Sequence, residues 1–325
     1  MNTIEKVIEE TQVILKPLME KAVDKGEKSS IKLILKDCIK GKEAYDRALF
    51  VRLGCEAVGG DWRDVIHVMI AAELMDFSVL VIDDLLDEAP RRMGLPTIYK
   101  KYGEKFAIIA ASILKSIAVE TLLEYRNKNH IDFQKLNKIS FILEQAHRQI
   151  YIGQYLDILY ENIPFEKVTE DMYFEMVKYT TGTQISACFQ IGSISGGGKR
   201  EEINALEDYG LNLGIIFQIR DDLIDYKDDE ELIRTVPFLD FQQRKKRWPL
   251  LFAYKSNPQK VSKLINSNSI DKNEIQFYID NPVNINLMRK TVSRLANISL
   301  SKIKFVRDKN IRIILEEILN LGTDI

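Results

Sequence analysis

Residues 77–88 read FSVLVIDDLLDE, an apolar run that ends directly in acidic residues. Residues 211–225 read LNLGIIFQIRDDLID and repeat the same arrangement. Segments that are apolar nearly all round belong in the middle of a helical bundle. On a helix, residues four apart share a face, so the first and last aspartate of each DDxxD motif should lie side by side. The two motifs consist of Asp83, Asp84 and Asp87, and of Asp221, Asp222 and Asp225.

The rest of the chain has the same helical character. Apolar residues recur every three or four positions, alternating strand patterns are hard to find, and only 16 Gly and 8 Pro interrupt 325 residues. We therefore expect an all-α fold, a single-domain bundle of about ten or more helices around a central cavity, spanning residues 1–325. The predicted helices are 5–24 with a break near Pro17, 30–58, 62–88, 104–126, 134–160, 170–194 and 200–228, with further helices after them.

Composition narrows the class of protein. A net charge of −2 gives no reason to expect nucleic acid as a partner. The cysteines, Cys38, Cys55 and Cys188, are far apart and odd in number, which favours free thiols over a disulfide or zinc site. The polar start MNTIEKVIEE is unlike a signal peptide, and no stretch reaches the length of about eighteen apolar residues that a membrane span needs. A cytoplasmic enzyme is the expectation.

The carboxylates indicate a metal. Like charges four residues apart on a helix repel, and burial adds a desolvation cost. Two helices with the same arrangement therefore favour a bound cation over two solvated acidic helix ends, the other interpretation. Oxygen ligands without nearby His or Cys suit Mg²⁺ before Ca²⁺, and Mg²⁺ commonly shares its coordination shell with a phosphate. The sequence thus predicts two acidic walls that hold a diphosphate or triphosphate through bridging metal ions.

The two motifs resemble the first and second aspartate-rich regions of trans-isoprenyl (polyprenyl) diphosphate synthases. The resemblance covers roughly residues 40–255 and includes further matching residues in the same order. They are Glu73-Leu74, Arg91-Arg92, Gly94, Pro96-Thr97, Tyr102-Gly103, Gly153-Gln154, Asp157, Thr181-Gly182, Gly214, Phe217-Gln218, Asp229, Asp240, Lys245 and Pro249.

The resemblance implies an isoprenoid synthase fold, a homodimer and a prenyltransferase that ionises an allylic prenyl diphosphate. It also implies about three Mg²⁺ ions with the bound diphosphate, and catalytic roles for all six aspartates. The implied metal ligands are Asp83, Asp87, Asp221 and Asp225, with Asp84 and Asp222 as direct or indirect partners. The implied diphosphate-binding residues are Arg47, Arg91, Arg92, Thr181, Gln218 and Lys245. For Lys245, a surface position within the basic run Arg244–Arg247 is the more ordinary interpretation.

Two sets of positions bear on the substrates. In the family, side chains just before the first motif limit the prenyl tail. Here the small Ser78, with Val79 and Phe77, predicts a product of about fifteen carbons or longer. The second set is the pocket that holds isopentenyl diphosphate, the usual acceptor, in these synthases. Its residues are altered here, as Asp76 replaces a His and Met93 replaces the second arginine.

Other basic positions also depart from the family pattern. Arg47 matches an arginine of the acceptor pocket, but Lys42 comes two residues too early and Ala48 replaces a Pro. The family lysine before Thr181 is Thr180, and a downstream Gly-Lys pair reads Arg234-Thr235. The half that generates the cation therefore keeps its metal-binding aspartates but has fewer basic residues, while the acceptor half has lost most of its positive charge.

Three functions remain open at this point. The first is prenyl transfer to an alkene, either isopentenyl diphosphate or another acceptor. The second is a class I terpene cyclase, in which the substrate's own alkene reacts. The third is a non-catalytic subunit of a synthase, against which six intact aspartates argue. The second motif, with its three aspartates, is of the synthase type, and this favours transfer over cyclisation.

Overall fold

A computed structural model of the chain describes residues 3–24, 29–41, 45–129, 132–227, 236–267 and 271–324. The helices are α1 (Thr3–Asp24), α2 (Ser29–Cys38), α3 (Asp46–Ala57), α4 (Ile66–Leu86), α5 (Ile98–Tyr102), α6 (Glu104–Asn129), α7 (Phe133–Glu161), α8 (Glu170–Val177), α9 (Thr183–Ser195), α10 (Arg200–Ile224), α11 (Leu239–Gln242), α12 (Trp248–Ser256), α13 (Pro258–Ile265), α14 (Lys272–Ile279), α15 (Pro282–Lys302) and α16 (Lys309–Thr323). Within the described ranges the only strands are β1 (Arg91–Arg92) and β2 (Leu95–Pro96), which form an antiparallel hairpin. The predicted all-α fold is confirmed.

The bundle is built around α4, α9 and α10, and close backbone contacts hold it together. A Cβ at Gly192 on α9 would lie 2.1 Å from the Val51 carbonyl oxygen on α3. A Cβ at Gly214 on α10 would lie 2.7 Å from the Gly182 Cα, in the π-helical turn Lys178–Gly182 between α8 and α9. Only glycine permits such an approach. It brings the second motif, at the end of α10, beside this turn.

Two predicted helix boundaries are wrong. Helix α1 continues through Pro17, where a break was expected. Both Pro17 and Val13 are exposed, so water can reach the Val13 carbonyl that loses its helical hydrogen bond. The predicted helix 30–58 is two helices, α2 and α3. Backbone at positive φ, 84° at Gly41 and 45° at Tyr45, separates them. Lys42 lies between these two, outside the described residues.

Two helical segments bear on the expectation that no stretch has the length of apolar residues that a membrane span needs. Trp62–Leu86 and Glu104–Tyr125 each contain an 18-residue window, with mean hydropathies of 2.1 and 1.9, that is long and apolar enough to cross a membrane. In the first segment 78% of this window is buried, as in the core helix of a bundle. In the second segment 44% of the window is buried, and several of its apolar side chains are exposed.

Candidate active site

The ends of α4 and α10 meet at a cavity of about 340 Å³. Both helices end one residue before the last aspartate of their motif. The last aspartates nonetheless keep helical backbone hydrogen bonds: the Asp87 N–H donates to the Asp83 carbonyl at 2.8 Å, and the Asp225 N–H donates to the Asp221 carbonyl at 3.1 Å. The predicted pairing within each motif therefore persists at the helix ends.

Most of the residues singled out in the sequence line this cavity, although they come from distant parts of the chain. Those that line it are Asp83, Asp87, Asp221, Asp222, Asp225, Arg47, Arg92, Thr181, Gln218, Asp76 and Val79. Those that do not are Asp84, Arg91, Lys245, Met93, Ser78 and Phe77.

The first wall is tied to the β-hairpin. The Arg92 guanidinium donates to Asp83 at 2.9 Å and to Asp84 at 2.7 Å. The Gln154 amide donates to the other Asp83 oxygen at 2.6 Å. Burial raises the pKa of Asp84 to about 7, although Arg92 opposes the shift. Arg91 is exposed, so only one arginine of the pair reaches the aspartates.

Lys245 contacts the last aspartate of the first motif. Its side chain is 1% exposed, and its ammonium lies 2.6 Å from Asp87 and 3.2 Å from Asp157. Burial, followed by the charge of Asp83, raises the pKa of Asp87 to about 7. The interpretation of Lys245 as a surface residue is therefore wrong, and its role in binding the diphosphate stays a prediction.

The second wall is held by neutral donors. The Tyr173 hydroxyl donates to Asp222 at 2.6 Å, and the Gln218 amide donates to its other oxygen at 2.8 Å. Thr181 in turn donates to Gln218 at 2.6 Å. Burial raises the pKa of Asp222 to about 7. Burial and the nearby Asp240 raise that of Asp225 to about 8.

A buried ion-pair network joins the two walls. The Arg247 guanidinium donates to both Asp157 oxygens, at 2.8 and 3.2 Å, and to Asp240 at 3.0 Å. It also lies 3.9 Å from Asp222. Burial alone would raise the pKa of Asp157, but Arg247 and Lys245 outweigh it and lower that pKa. Asp157 on α7 therefore connects the cations that serve the two motifs.

Sequence reasoning missed the roles of Arg247, Tyr173 and Gln184. A usable signal existed for the first of these, because the basic run ending at Arg247 leads directly into the apolar stretch WPLLFA at 248–253. A charged residue at the start of a buried helix needs a buried partner.

At the other end of the cavity, Arg47 and Asp76 contact each other. The Arg47 Nε lies 3.2 Å from an Asp76 carboxylate oxygen and donates to the side-chain oxygen of Gln184, Oε1, at 2.8 Å. The Gln184 amide donates to the same Asp76 oxygen at 2.7 Å. Met93, at φ 50° in the turn of the β-hairpin, does not line the cavity.

The predicted tail-binding residues separate into two groups. Val79 lines the cavity, together with Leu80 and Ile150. Ser78 is buried and donates to the Met75 carbonyl at 2.7 Å, and Phe77 belongs to the hydrophobic core. Val79 is thus the one of the three that borders the open space.

The donor set fits Mg²⁺. Its side chains offer carboxylate oxygens, and one buried Asp225 oxygen, Oδ2, has no hydrogen-bond partner among the described residues. In the same part of the chain, no three acidic, His or Cys side chains are close enough together to hold one ion by themselves. Asp83 instead forms an ion pair with Arg92, and Asp87 forms one with Lys245. An ion here would share its ligands between protein and diphosphate.

Comparison with known proteins identifies the family of this chain. The polyprenyl synthetase family matches residues 29–281. The geranylgeranyl diphosphate synthase of Methanosarcina mazei is 35% identical over 193 residues, which are 59% of this chain and 58% of that protein. A short chain isoprenyl diphosphate synthase of Methanothermobacter thermautotrophicus is 38% identical over 179 residues, 55% of this chain and 53% of that protein. The matched region thus spans less than two thirds of either relative.

Solved structures extend the likeness of fold over nearly the whole chain. The polyprenyl synthase of Caulobacter crescentus, complexed with calcium and isoprenyl diphosphate, superposes with a TM-score of 0.88 at 22% identity and covers 99% of this chain and 97% of that one. The geranylgeranyl pyrophosphate synthetase of Pyrococcus horikoshii gives 0.86 at 24% identity, with full coverage of both chains. The fold is that of the isoprenoid synthases, and the chain belongs to the polyprenyl synthetase family of trans-isoprenyl diphosphate synthases.

Proposed function

We propose that this protein is a Mg²⁺-dependent prenyltransferase that ionises an allylic prenyl diphosphate and transfers the prenyl group to an alkene acceptor. The observation that carries the proposal is the convergence of five aspartates, from motifs about 140 residues apart, on one cavity that Arg92 also lines. The named relatives, a geranylgeranyl and a short chain diphosphate synthase, support the same reaction class.

The metal ligands in this proposal are Asp83, Asp87, Asp221 and Asp225, with Asp84 and Asp222 supporting them. Bound Mg²⁺ would neutralise the diphosphate and make it a better leaving group. In the structure Arg92 and Lys245 form ion pairs with aspartates of the first motif. In the complex they would also contact the diphosphate oxygens. Thr181 and Gln218 would add hydrogen bonds from the second wall.

The reaction needs no protein nucleophile. The allylic carbon–oxygen bond breaks, and pyrophosphate leaves with the electron pair. The acceptor alkene forms a carbon–carbon bond with the resulting cation, and the proton lost from the adjacent carbon passes to pyrophosphate. Val79, Leu80 and Ile150 would exclude water from the cation, which water would otherwise quench.

We also propose that two copies of the chain pair through α6 and α7. Exposed apolar side chains on these helices include Phe106 at 51%, Phe141 at 67% and Tyr155 at 63%. Apolar patches of this kind commonly mark protein interfaces. Sedimentation velocity would test the pairing, and a monomer at assay concentration would contradict it.

The proposed reaction is tested by incubating purified protein and Mg²⁺ with dimethylallyl, geranyl or farnesyl diphosphate and measuring pyrophosphate release. We expect Asp221→Ala to lower the release by about 100-fold or more, because it removes an ion ligand that the neighbouring residues cannot replace. Glu88→Gln is the matched control, since Glu88 follows the first motif but is exposed. Release that survives both Asp221→Ala and metal chelation would contradict the proposal.

A further inference from the structure

Arg220 is a cation of the cavity lining whose contacts differ from those of the other arginines. It lies in the last turn of α10, directly before Asp221, and its side chain is partly buried and lines the cavity. Arg47, Arg92 and Arg247 each form an ion pair with an aspartate. Arg220 forms none with any residue that the structure describes, and its buried Nε has no hydrogen-bond partner. A buried donor without an acceptor is costly, and a bound anion would remove that cost.

Helix geometry directs Arg220 away from the second aspartate wall. Successive residues of an α-helix are about 100° apart, so Arg220 lies about 160° around the axis from both Gln218 and Asp222. Arg220 instead shares a face with Phe217, three residues earlier. The Phe217 ring lies 6.4 Å from the Phe50 ring on α3. The cavity therefore extends around the end of α10 to the side that faces α3.

Contacts along α9 fix the relative direction of α3 and α10. The pairs are Gln184 with Arg47 and Gly196 with Cys55 on α3, and Thr181 with Gln218 and Gln190 with Glu207 on α10. Residue numbers on α3 rise along α9 and those on α10 fall, so α3 runs parallel to α9 and α10 runs antiparallel to it. The first turn of α3, with Arg47, and the last turn of α10, with Arg220, therefore lie at the same end of the bundle.

An acceptor that carries a diphosphate needs positive charge on this side of the cavity. Arg47 lies there, but its Nε is 3.2 Å from an Asp76 oxygen, which offsets part of its charge. Arg220 adds a second guanidinium, a group whose planar set of N–H donors matches phosphate oxygens in pairs. An arginine on α10 thus supplies charge that Asp76 and Met93 remove from α4 and the β-hairpin.

We propose that Arg220 binds the diphosphate group of an isopentenyl diphosphate acceptor. The inference rests on the proposed function and names a further residue that determines acceptor specificity at the same site. The donor diphosphate lies between the two motifs, and the acceptor diphosphate lies between α3 and the far side of α10. The allylic carbon–oxygen bond breaks, the acceptor alkene forms a carbon–carbon bond with the allylic carbon, and pyrophosphate takes the released proton.

Steady-state kinetics of the full-length protein with Mg²⁺, farnesyl diphosphate and isopentenyl diphosphate test the assignment. We expect Arg220→Gln to raise the KM for isopentenyl diphosphate at least about tenfold, because it removes a charged contact to the acceptor. The KM for farnesyl diphosphate should change less than about twofold. Arg220→Lys keeps the charge and should recover at least half of the loss on a logarithmic scale, which a purely structural role would not produce.

The matched control is Arg200→Gln. It makes the same chemical change on the same helix, at the exposed first residue of α10, about 30 Å from Arg220 along the axis. Both KM values should stay as in the unmodified protein. An unchanged KM for isopentenyl diphosphate in Arg220→Gln would overturn the inference. An equal or larger rise in the KM for farnesyl diphosphate would also overturn it, because Arg220 would then serve the donor.

A calorimetric titration with isopentenyl diphosphate, in the presence of Mg²⁺ and a non-ionising farnesyl thiolodiphosphate, tests the site without turnover. We expect binding to Arg220→Gln to be at least about tenfold weaker than to the unmodified protein. Arg220→Met, which keeps the apolar stem, replaces this variant if Arg220→Gln does not fold. Equal affinities, or no binding to the unmodified protein, would overturn the inference. A protein that binds isopentenyl diphosphate through Arg220 but releases no pyrophosphate from any allylic diphosphate contradicts the proposed function alone.

Discussion

The two ends of the cavity handle buried charge in opposite ways. Apart from the Arg47–Asp76 pair, seven carboxylates and three guanidiniums line the cavity, with the aspartate motifs supplying most of the acids. The motif end therefore has a surplus of negative charge, and burial raises the pKa of Asp222 and Asp225. At the Arg47 end, the Arg47 guanidinium and the Asp76 carboxylate are in contact. A surplus is tolerable only with added cations or protons, whereas a balanced pair requires neither.

The comparison predicts that the largest stability effect lies in the network joining the walls. Asp157→Asn removes the carboxylate that Lys245 and Arg247 share and leaves two buried cations short of a partner. We expect the free energy of unfolding to fall by about 3–5 kcal/mol, measured by urea denaturation. Asp208→Asn, in an exposed pair, should cost less than about 1 kcal/mol. Equal losses would mean that the network contributes no more than a surface ion pair.

A second prediction separates the neighbouring arginines of the β-hairpin. Arg92→Met should weaken binding of a non-ionising allylic diphosphate analogue by about 1.5–3 kcal/mol, the scale of a hydrogen bond to a charged group. Arg91 is exposed and outside the cavity lining, so Arg91→Met should change binding by less than about 0.5 kcal/mol. Calorimetric titration with Mg²⁺ present measures both. A larger effect at Arg91 would place the diphosphate outside the aspartate end.

A third prediction concerns the apolar side of the cavity. Val79→Phe adds a ring to the open space and should shorten the longest prenyl chain that the protein uses or makes, as read by chromatography. Ser78→Phe instead overpacks a buried site and should lower the free energy of unfolding by about 1–3 kcal/mol. A change of chain length in Ser78→Phe but not in Val79→Phe would reverse this assignment of the tail-binding wall.

The last prediction concerns the pH dependence of the metal-free protein. The raised pKa values of Asp222, about 7, and Asp225, about 8, mean that the folded state binds more protons than the unfolded chain above about pH 4. Its free energy of unfolding should therefore fall as pH rises from about 6 toward 8. Added Mg²⁺ should stabilise the protein more at the higher pH. Metal-free stability that rises across this interval would contradict the surplus of buried carboxylates.

The helical architecture and the motif end of the cavity could be predicted because their signals are local. Apolar spacing identifies a buried helix within a few turns, and a DDxxD motif pairs its own aspartates along one helix end. The errors at helix boundaries arose because local signals do not contain the packing that decides where these helices end. The exposure of Val13 beside Pro17 and the positive φ of Tyr45 depend on how the chain packs rather than on nearby residues.

By itself, then, the sequence determined the all-α class and the two aspartate motifs. Only the tertiary structure decided which charges neutralise one another. Arg47 meets Gln184 across 137 residues of sequence, and Lys245 meets Asp87 across 158. Side chains this far apart share no helical period, so their pairing is set by the packing of whole helices. The Coulomb energy of such a pair depends on separation and burial, neither of which a linear sequence contains.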